Sequence, residues 1–340
     1  MTALLPKVKK VTQDAMSNGS LKPLIVVSDL FEDVHSGSKF CIKTMKTGSL
    51  KTSNLENRIR EKKELIDDTS NKIAYDVFRP FDKNMLVHQM SNYTLLLNKF
   101  PVFPEHLLLV TTEFAKQTDH LTRDDFQSGL EVMTMLLEDP ESDSWIGFYN
   151  RGLYSGASQP HKHLQFVPLS IEESIKDYPL PLFTSINKQA QQNKEQVEEY
   201  QNIKHAFKSI KNKTVDQIYE TYKGMLQKLD LWDDKQLTNS TSEPIHIVCE
   251  VNQQQHEDKL SKGLPVEEYF MDASPHIHPS YNILFTHDWI LIIPRSNENF
   301  NGISSNSMGF LFGLFVKTSQ EKEQIKEMGC LNFLKKLTFN

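Results

Sequence analysis

The sequence predicts an α+β protein, a largely antiparallel sheet with a few helices, on three observations. Apolar runs of strand length recur between turn residues along most of the chain. Only a few segments carry helical periodicity. One strand pair occurs twice: "YTLLLNKFPVFPEHLLLV" (93–110) and "YNILFTHDWILIIPR" (281–295) both read Tyr-x-(Leu/Ile)-Leu, a polar break and a second apolar run. Runs of antiparallel strand broken by helices belong to the α+β class.

The elements follow in order. "LIVVSDLF" (24–31) and "KFCIKTM" (39–45) read as strands, and the charged stretch 52–68 as a solvated face. "NYTLLLNKFPV" (92–102) and "EHLLLVTTEF" (105–114) are strands, with Pro101 and Pro104 punctuating the turn between them. "LTRDDFQSGLEVMTMLLEDP" is a helix opened by a Thr122–Asp125 capping pair, with Phe126, Leu130, Met133 and Leu137 as its apolar stripe and Pro140 as its stop. "SWIGFYN" (144–150) and "HKHLQFV" (161–167) are strands on either side of a Gly/Ser loop. From Ser170 to about Gln201 the polar composition suggests a surface excursion. A second helix over 214–231 buries Val215, Ile218, Tyr222, Met225 and Leu229. Strands at 243–251, 280–295 and 308–317 and a helix from about Ser319 complete the chain.

At 340 residues the chain can bury about three quarters of its unfolded surface and needs no staples. Its three cysteines, Cys41, Cys249 and Cys330, are far apart and form neither a disulfide framework nor a metal spacing. The N-terminal apolar run is too short for a signal peptide, and no stretch reaches the roughly 20 apolar residues of a membrane helix. The expectation is a cytoplasmic or nuclear protein that binds neither membrane nor nucleic acid. A net charge of −6 agrees with the last point, but leaves room for a small anionic ligand in a locally basic pocket.

Candidate chemistry concentrates in "NRGLYSGASQPHKHLQ" (150–165). Side chains alternate along a strand, so His161, His163 and Gln165 share one face while Lys162, Leu164 and Phe166 take the other. Three successive polar groups on one face need partners or cost free energy. Spacing alone leaves three readings open: a satisfied polar edge, a His-x-His metal site that still needs a third ligand, and a nucleophilic imidazole. In the last, His163 is the attacking group, because His161 and Gln165 sit about 13 Å apart at ~3.3 Å per residue and cannot meet one phosphorus. The preceding loop favours phosphate, since its glycines let backbone N–H groups approach an anion and Ser158 adds a hydroxyl. Lys99, Arg151 and Arg295 could meet phosphates or be plain charges. "PHIHPS", with His276 and His278, lacks both the glycine loop and the glutamine and reads as a loop. The Gly/Ser-rich "GISSNSMG" (302–309) reads as a turn.

The run Asn150-x-Gly152-x-x-x-Gly156-Ala157-Ser158-Gln159-x-His161-x-His163-x-Gln165, with "LLLNKFPVFPEHLLLVTTEF" and "SYNILFTHDWILIIPRS", resembles the transferase branch of the histidine-triad superfamily. That branch includes galactose-1-phosphate uridylyltransferase and the diadenosine tetraphosphate phosphorylases, or ATP adenylyltransferases. The resemblance spans about residues 76–170 and 280–317 and is closer to the second group, since the zinc-ligand cluster of the first has no counterpart here. It implies two related histidine-triad-like lobes, of which only the first, 73–170, carries the reactive strand. Residues 1–72 would pack on this core, 171–242 would hold the polar excursion and a helix, and 243–340 would be the degenerate second lobe. It further implies catalysis by His163, supported by His161 and Gln165. Nucleotide and phosphate would be held by Asn98, Lys99, Asn150, Gly152, Gly156, Ala157, Ser158 and Gln159, with Asn98 on the ribose. His106 belongs to the pattern as a structural histidine.

The activity so implied is phosphorolysis of diadenosine tetraphosphate to ATP and ADP through an adenylyl-histidine, reversible as adenylyl transfer. A divalent cation, magnesium, would accompany the nucleotide, with no protein metal site and no zinc. The partners would be dinucleoside polyphosphates, ATP, ADP and phosphate, and the protein a monomer or dimer. The alternatives are another nucleotidyl transferase or dinucleoside polyphosphate hydrolase of the superfamily, and a non-catalytic nucleotide-binding interaction protein.

Overall fold

A computed structural model describes residues 4–46, 76–140, 142, 144–169, 180–200, 202–232 and 279–339. The expected strand at 243–251, the charged 52–68 stretch, Cys249 and the His276/His278 pair lie outside them.

Eight strands form one antiparallel sheet: β3 (Leu86–Gln89), β4 (Tyr93–Leu97), β5 (Leu107–Thr111), β6 (Trp145–Arg151), β7 (His163–Pro168), β8 (Ala206–Ser209), β9 (Ser280–Phe285) and β10 (Trp289–Arg295). Their spatial order is β3-β4-β5-β7-β6-β9-β10-β8. The duplicated strand pairs are β4–β5 and β9–β10, and they lie in the same sheet. Its two halves meet where β6 pairs with β9, Asn150 opposite Asn282 and Arg151 opposite Tyr281. A second sheet of three strands holds β1 (Val26–Glu32), β2 (Lys39–Met45) and, parallel to β2, β13 (Gly313–Val316). The short pair β11 (Asn299–Phe300) and β12 (Ile303–Ser304) completes the strands among the described residues.

Strand alternation splits the large sheet into two faces. On one, Leu95, Leu97, Leu107, Leu109, Leu164, Phe166, Ile283 and Phe285 are buried with helices α1 (Leu4–Ser17), α2 (Arg123–Leu137) and α4 (Val215–Lys228). On the other, Ile146, Phe148, Val167, Leu284 and Leu291 pack with β2, β13, α3 (Phe183–Gln191), α5 (Ser319–Met328) and α6 (Cys330–Lys335). A small separate patch on β4 and β5, of Leu96, Leu108 and Val110, lies under Phe78 and Phe81. The polar residues of β7 therefore stand between two apolar clusters.

The predicted Thr122–Asp125 capping box forms, and the structure adds a second, Thr214 with Gln217, each satisfying N–H groups that the first helical turn leaves open. The buried face of α2 is rotated from the expected stripe. Phe126, Gly129, Val132, Met133 and Leu136 point inward, while Leu130 is half-buried and Leu137 is 43% exposed. Gly129 lies on that inward side, in ordinary contact range of Leu164 and Phe285. The expected polar excursion is also corrected. Within 180–200, Leu180, Leu182, Phe183, Ile186, Ala190, Val197 and Tyr200 are buried, and β8 closes the sheet edge beside β10. The polar majority of this stretch masked an amphipathic helix whose apolar minority all faces inward.

Candidate active site

The two faces of β7 do different work. On the helical face, Lys162 Nζ donates to Asp125 Oδ2 at 2.6 Å and to the His120 carbonyl at 2.8 Å, all in the interior. Asp125 also accepts from the Tyr93 hydroxyl at 2.9 Å. This satisfied buried ion pair ties the strand to the start of α2. Leu164 and Phe166 fill the core beyond it.

On the opposite face the trio is buried, with 1%, 3% and 8% exposure for His161, His163 and Gln165. His161 lies outside the strand ladder, in an isolated bridge to Lys116. Its Nδ1 donates to Asp76 Oδ2 at 2.7 Å, and its Nε2 meets the Thr111 hydroxyl and carbonyl, both at 2.9 Å. With both nitrogens engaged, His161 has none to offer a metal, which removes the His-x-His metal reading. Its carbonyl oxygen accepts the Nδ1–H of His163 at 2.8 Å. That bond fixes the proton on Nδ1 and leaves the lone pair on Nε2. Burial lowers the His163 pKa to about 4, opposed in part by its bond to the His161 carbonyl, so the ring is neutral at pH 7. Phe78 covers it, with ring centroids 5.5 Å apart.

Between β6 and β7 the backbone ladder ends at Phe148 opposite Gln165. The Gln117 side chain continues it: Oε1 accepts from His163 N at 2.9 Å and Nε2 donates to Asn150 O at 2.8 Å. His163 is thus held by its own backbone as well as by its ring.

A cleft of about 440 Å³ opens between the large sheet and the β2/β13 sheet; of the trio Gln165 lines it, while the buried His161 and His163 do not. Asn98, His106, Asn150, Gly156, Ala157, Ser158 and Gln165 line one side, Lys43 and Lys317 the other. His106 donates from Nε2 to Gln165 Oε1 at 3.0 Å and accepts from Asn98 Nδ2 at Nδ1 at 3.2 Å. Burial lowers its pKa to about 4 as well. Gln165 therefore has its carbonyl fixed, and its amide N–H groups are the ones available to a phosphate oxygen. Asn98 Oδ1 accepts from Phe100 N at 3.0 Å, which leaves one amide hydrogen for a ribose hydroxyl.

The structure separates the other expected residues. Gly156 reaches the cleft with φ 80°, and a Cβ there would meet Asn306 Cβ at 3.0 Å and Ser305 O at 3.1 Å. Gly152, φ 78°, is pressed against Ser280, and its backbone is packing rather than ligand surface. Gln159 is outside the cleft wall. Lys99 is exposed and lies over the ring of Phe100, a cleft residue, without lining the cleft itself. Asn150 lines the cleft, but its Oδ1 accepts from Asn282 Nδ2, Ser307 N and Ser307 Oγ, so it braces the loop. Arg151 is buried, donates to Pro279 O and lies over the Tyr281 ring. Arg295 donates to Asn282 Oδ1 at 2.6 Å and to carbonyls of Ser305, Ser155, Leu337 and Asn297. Burial lowers its pKa to about 9, which leaves it a cation at neutral pH. Both arginines are scaffold.

Asp76, Gln117, Thr111, Lys43 and Asn282 were not singled out from the sequence. Asp76, Gln117 and Thr111 act on the site through hydrogen bonds to His161 or to the His163 backbone, a role without a local motif.

A neutral imidazole held by its backbone on the strand after a Gly/Ser loop has the form a nucleophile for nucleotidyl transfer needs, and the sheet that carries it is histidine-triad-like. The molecule is a nucleotidyltransferase of that fold. More closely, the chain belongs to the Ap4A phosphorylase family: residues 1–188 match the Ap4A phosphorylase N-terminal domain and residues 198–340 the ATP adenylyltransferase C-terminal domain. It is 28% identical over 332 residues to diadenosine tetraphosphate phosphorylase 2 of Saccharomyces cerevisiae, covering 92% of this chain and 87% of that protein. It is 27% identical over 245 residues to the yeast protein APA1, covering 69% of this chain and 64% of that one. The crystal structure of yeast Ap4A phosphorylase Apa2 shares the fold, with a TM-score of 0.66, 24% identity and coverage of 99% and 97% of the two chains. The same yeast enzyme in complex with Ap4A gives a TM-score of 0.62 at 23% identity, covering 99% of this chain and 97% of that chain.

Proposed function

We propose that this protein phosphorolyses diadenosine tetraphosphate to ATP and ADP by adenylyl transfer through His163. The carrying observation is the His161 carbonyl on His163 Nδ1, which leaves a neutral ring with its lone pair on Nε2. That lone pair attacks the phosphorus bearing adenosine. The N–P bond forms, the bridging P–O bond breaks, and its electron pair leaves on ATP. An oxygen of hydrogen phosphate then attacks the same phosphorus, the N–P electrons return to Nε2, and ADP leaves while the phosphate proton goes to solvent.

Three features support phosphate as the acceptor. Gln165 cannot donate and recover a proton as a histidine could, so nothing at that position activates water. ATP departs as a stable anion and needs little acid help. The cleft at Gly156 and Ser158 can hold a phosphate where ATP's phosphates lay, which makes the second attack internal. Magnesium would enter on the tetraphosphate, with Lys43 and Lys317 on the opposite wall meeting the remaining negative charge. The relatives support the substrate class, being named for diadenosine tetraphosphate.

Product chromatography tests the reading. Turnover requires added phosphate and yields ATP with ADP. Rapid release of AMP in phosphate-free buffer would instead mean a hydrolase.

A further inference from the structure

The attack step creates a problem that the nucleophile's own surroundings do not solve. Once Nε2 bonds to phosphorus while Nδ1 keeps its proton, the imidazole of His163 carries a positive charge. Burial, the largest influence on this ring, opposes that charge. A buried cation needs a nearby anion or a fixed dipole. Three aspartates are buried among the described residues, Asp33, Asp76 and Asp125. Asp125 is bound to Lys162 on the opposite face of β7. Asp33 caps its own turn, accepting from the backbone N–H of His35 and from Ser36 Oγ. Asp76 remains, and it is placed on the histidines.

We infer that Asp76 is a positioning residue for the adenylyl transfer: through His161 it fixes the ring of His163, and its charge offsets part of the cost of the cationic adduct. The geometry is a continuous chain. Asp76 Oδ2 receives His161 Nδ1–H at 2.7 Å, Thr111 holds the far side of that ring, and the His161 carbonyl receives His163 Nδ1–H at 2.8 Å. His161 cannot turn without breaking bonds at both nitrogens, so its carbonyl is a fixed acceptor. Asp76 also anchors the turn that carries Phe78, whose backbone N–H donates to Asp76 Oδ1 at 2.9 Å. The Phe78 ring lies 5.7 Å from that of His161 and 5.5 Å from that of His163. One carboxylate thereby sets both the acceptor for Nδ1 and the apolar cover of the reacting ring. Its charge favours the cationic form of His163, against burial and against the stronger, opposite charge effect of His161.

This inference rests on the phosphorolysis reading, and the experiment keeps the two apart. Rapid-mix intact-mass measurement of the adenylyl adduct is made on the full chain with diadenosine tetraphosphate, alongside steady-state kinetics. The variants are Asp76→Asn, which is isosteric and uncharged, and Asp76→Glu, which keeps the charge. Asp76→Asn should slow adduct formation and kcat by about 10- to 100-fold, the usual cost of losing a group that orients a reacting histidine, with KM within about threefold. Asp76→Glu should recover a large part of that loss. A purely structural role predicts instead a lower melting temperature with an unchanged adduct rate per folded molecule, and that result overturns the inference. So does an Asp76→Glu protein no faster than Asp76→Asn. Failure of the unmutated protein to form any adduct would overturn the functional reading itself, and the relay with it.

Discussion

The two strand pairs that read alike in the sequence, β4–β5 and β9–β10, have divided the labour of the site. The first pair stands against the reactive strand: Val110 is opposite His163 and Leu108 opposite Gln165. Its ends deliver Asn98 and His106 to the cleft. The second pair delivers Asn282 and Arg295, which are fully buried and bonded to one another and to the loops at Ser155 and Ser305. In one half the polar side chains end in a cleft; in the other they end in backbone carbonyls. One half lines the cleft, and the other braces the Gly/Ser loop beside it. Both use the same sheet edge-to-edge, so the chemistry of the first half depends on the packing of the second.

Perturbing each half separately tests this division, and the largest effect belongs to the first. His163→Ala should lower turnover by about three orders of magnitude or more and abolish the adduct, because no other group can take the nucleophile's place. Its melting temperature should change little beside that. An adduct that persists in the variant, or that maps to His161, would move the reactive centre. In the second half the effect changes kind. Arg295→Met leaves several buried carbonyls without a donor, and the protein should lose about 3 kcal/mol of stability, read by urea unfolding. KM for diadenosine tetraphosphate should rise as the loop from Gly152 to Ser158 loosens. An Arg295→Met protein with unchanged unfolding and raised KM would mean that Arg295 meets substrate directly, and the division would fail.

Much of the first half was legible because its signals are local. The Lys39–Met45 strand, the Thr122–Asp125 capping box, the Gly/Ser loop and the alternation that puts His163 and Gln165 on one face each lie within a window of a few residues. The second half's role was not legible, since it resides in contacts between distant segments. Asn150 and Asn282 are 132 residues apart, and Arg295 and Ser155 are 140 apart. Nothing in "YNILF" or "IIPRS" distinguishes a buried clamp from a surface charge. Asp76 and Gln117 escaped for the same reason. The rotated face of α2 escaped because Gly129 belongs to its buried side without registering in a count of large apolar residues.

Acid sharpens the contrast further, because the depressed histidines lie in the first half. His106 and His163 both titrate near 4 when folded, against 6.5 as the ordinary value. Between those values the unfolded chain binds the additional protons, so stability rises with pH across the window. The contribution is therefore fully present above about pH 6.5 and declines as pH falls toward 4. His163→Asn should flatten part of that slope in urea midpoints taken across the window. A slope unaltered by the variant would place the acid sensitivity elsewhere.

The smallest predicted difference lies between two neighbours, Asn98, which the family resemblance places on the ribose, and Lys99, a flanking charge expected to meet phosphate. Asn98 lines the cleft and has one amide hydrogen left after bonding His106. Lys99 is exposed, with its ammonium 6.0 Å from the ring centroid of Phe100, a cleft residue, and is not itself part of the lining. Asn98→Leu should weaken nucleotide binding by about 1 kcal/mol or more, because a hydrogen bond is lost and His106 Nδ1 loses its donor. Lys99→Ala should change it by less than about 0.5 kcal/mol, the usual range for a solvated charge. Calorimetric titration with a nucleotide measures both. If Lys99→Ala were the more damaging of the two, the side chain would have to swing into the cleft when ligand binds. The wall would then be incomplete without it, and the boundary drawn here between ligand surface and solvent would be in the wrong place.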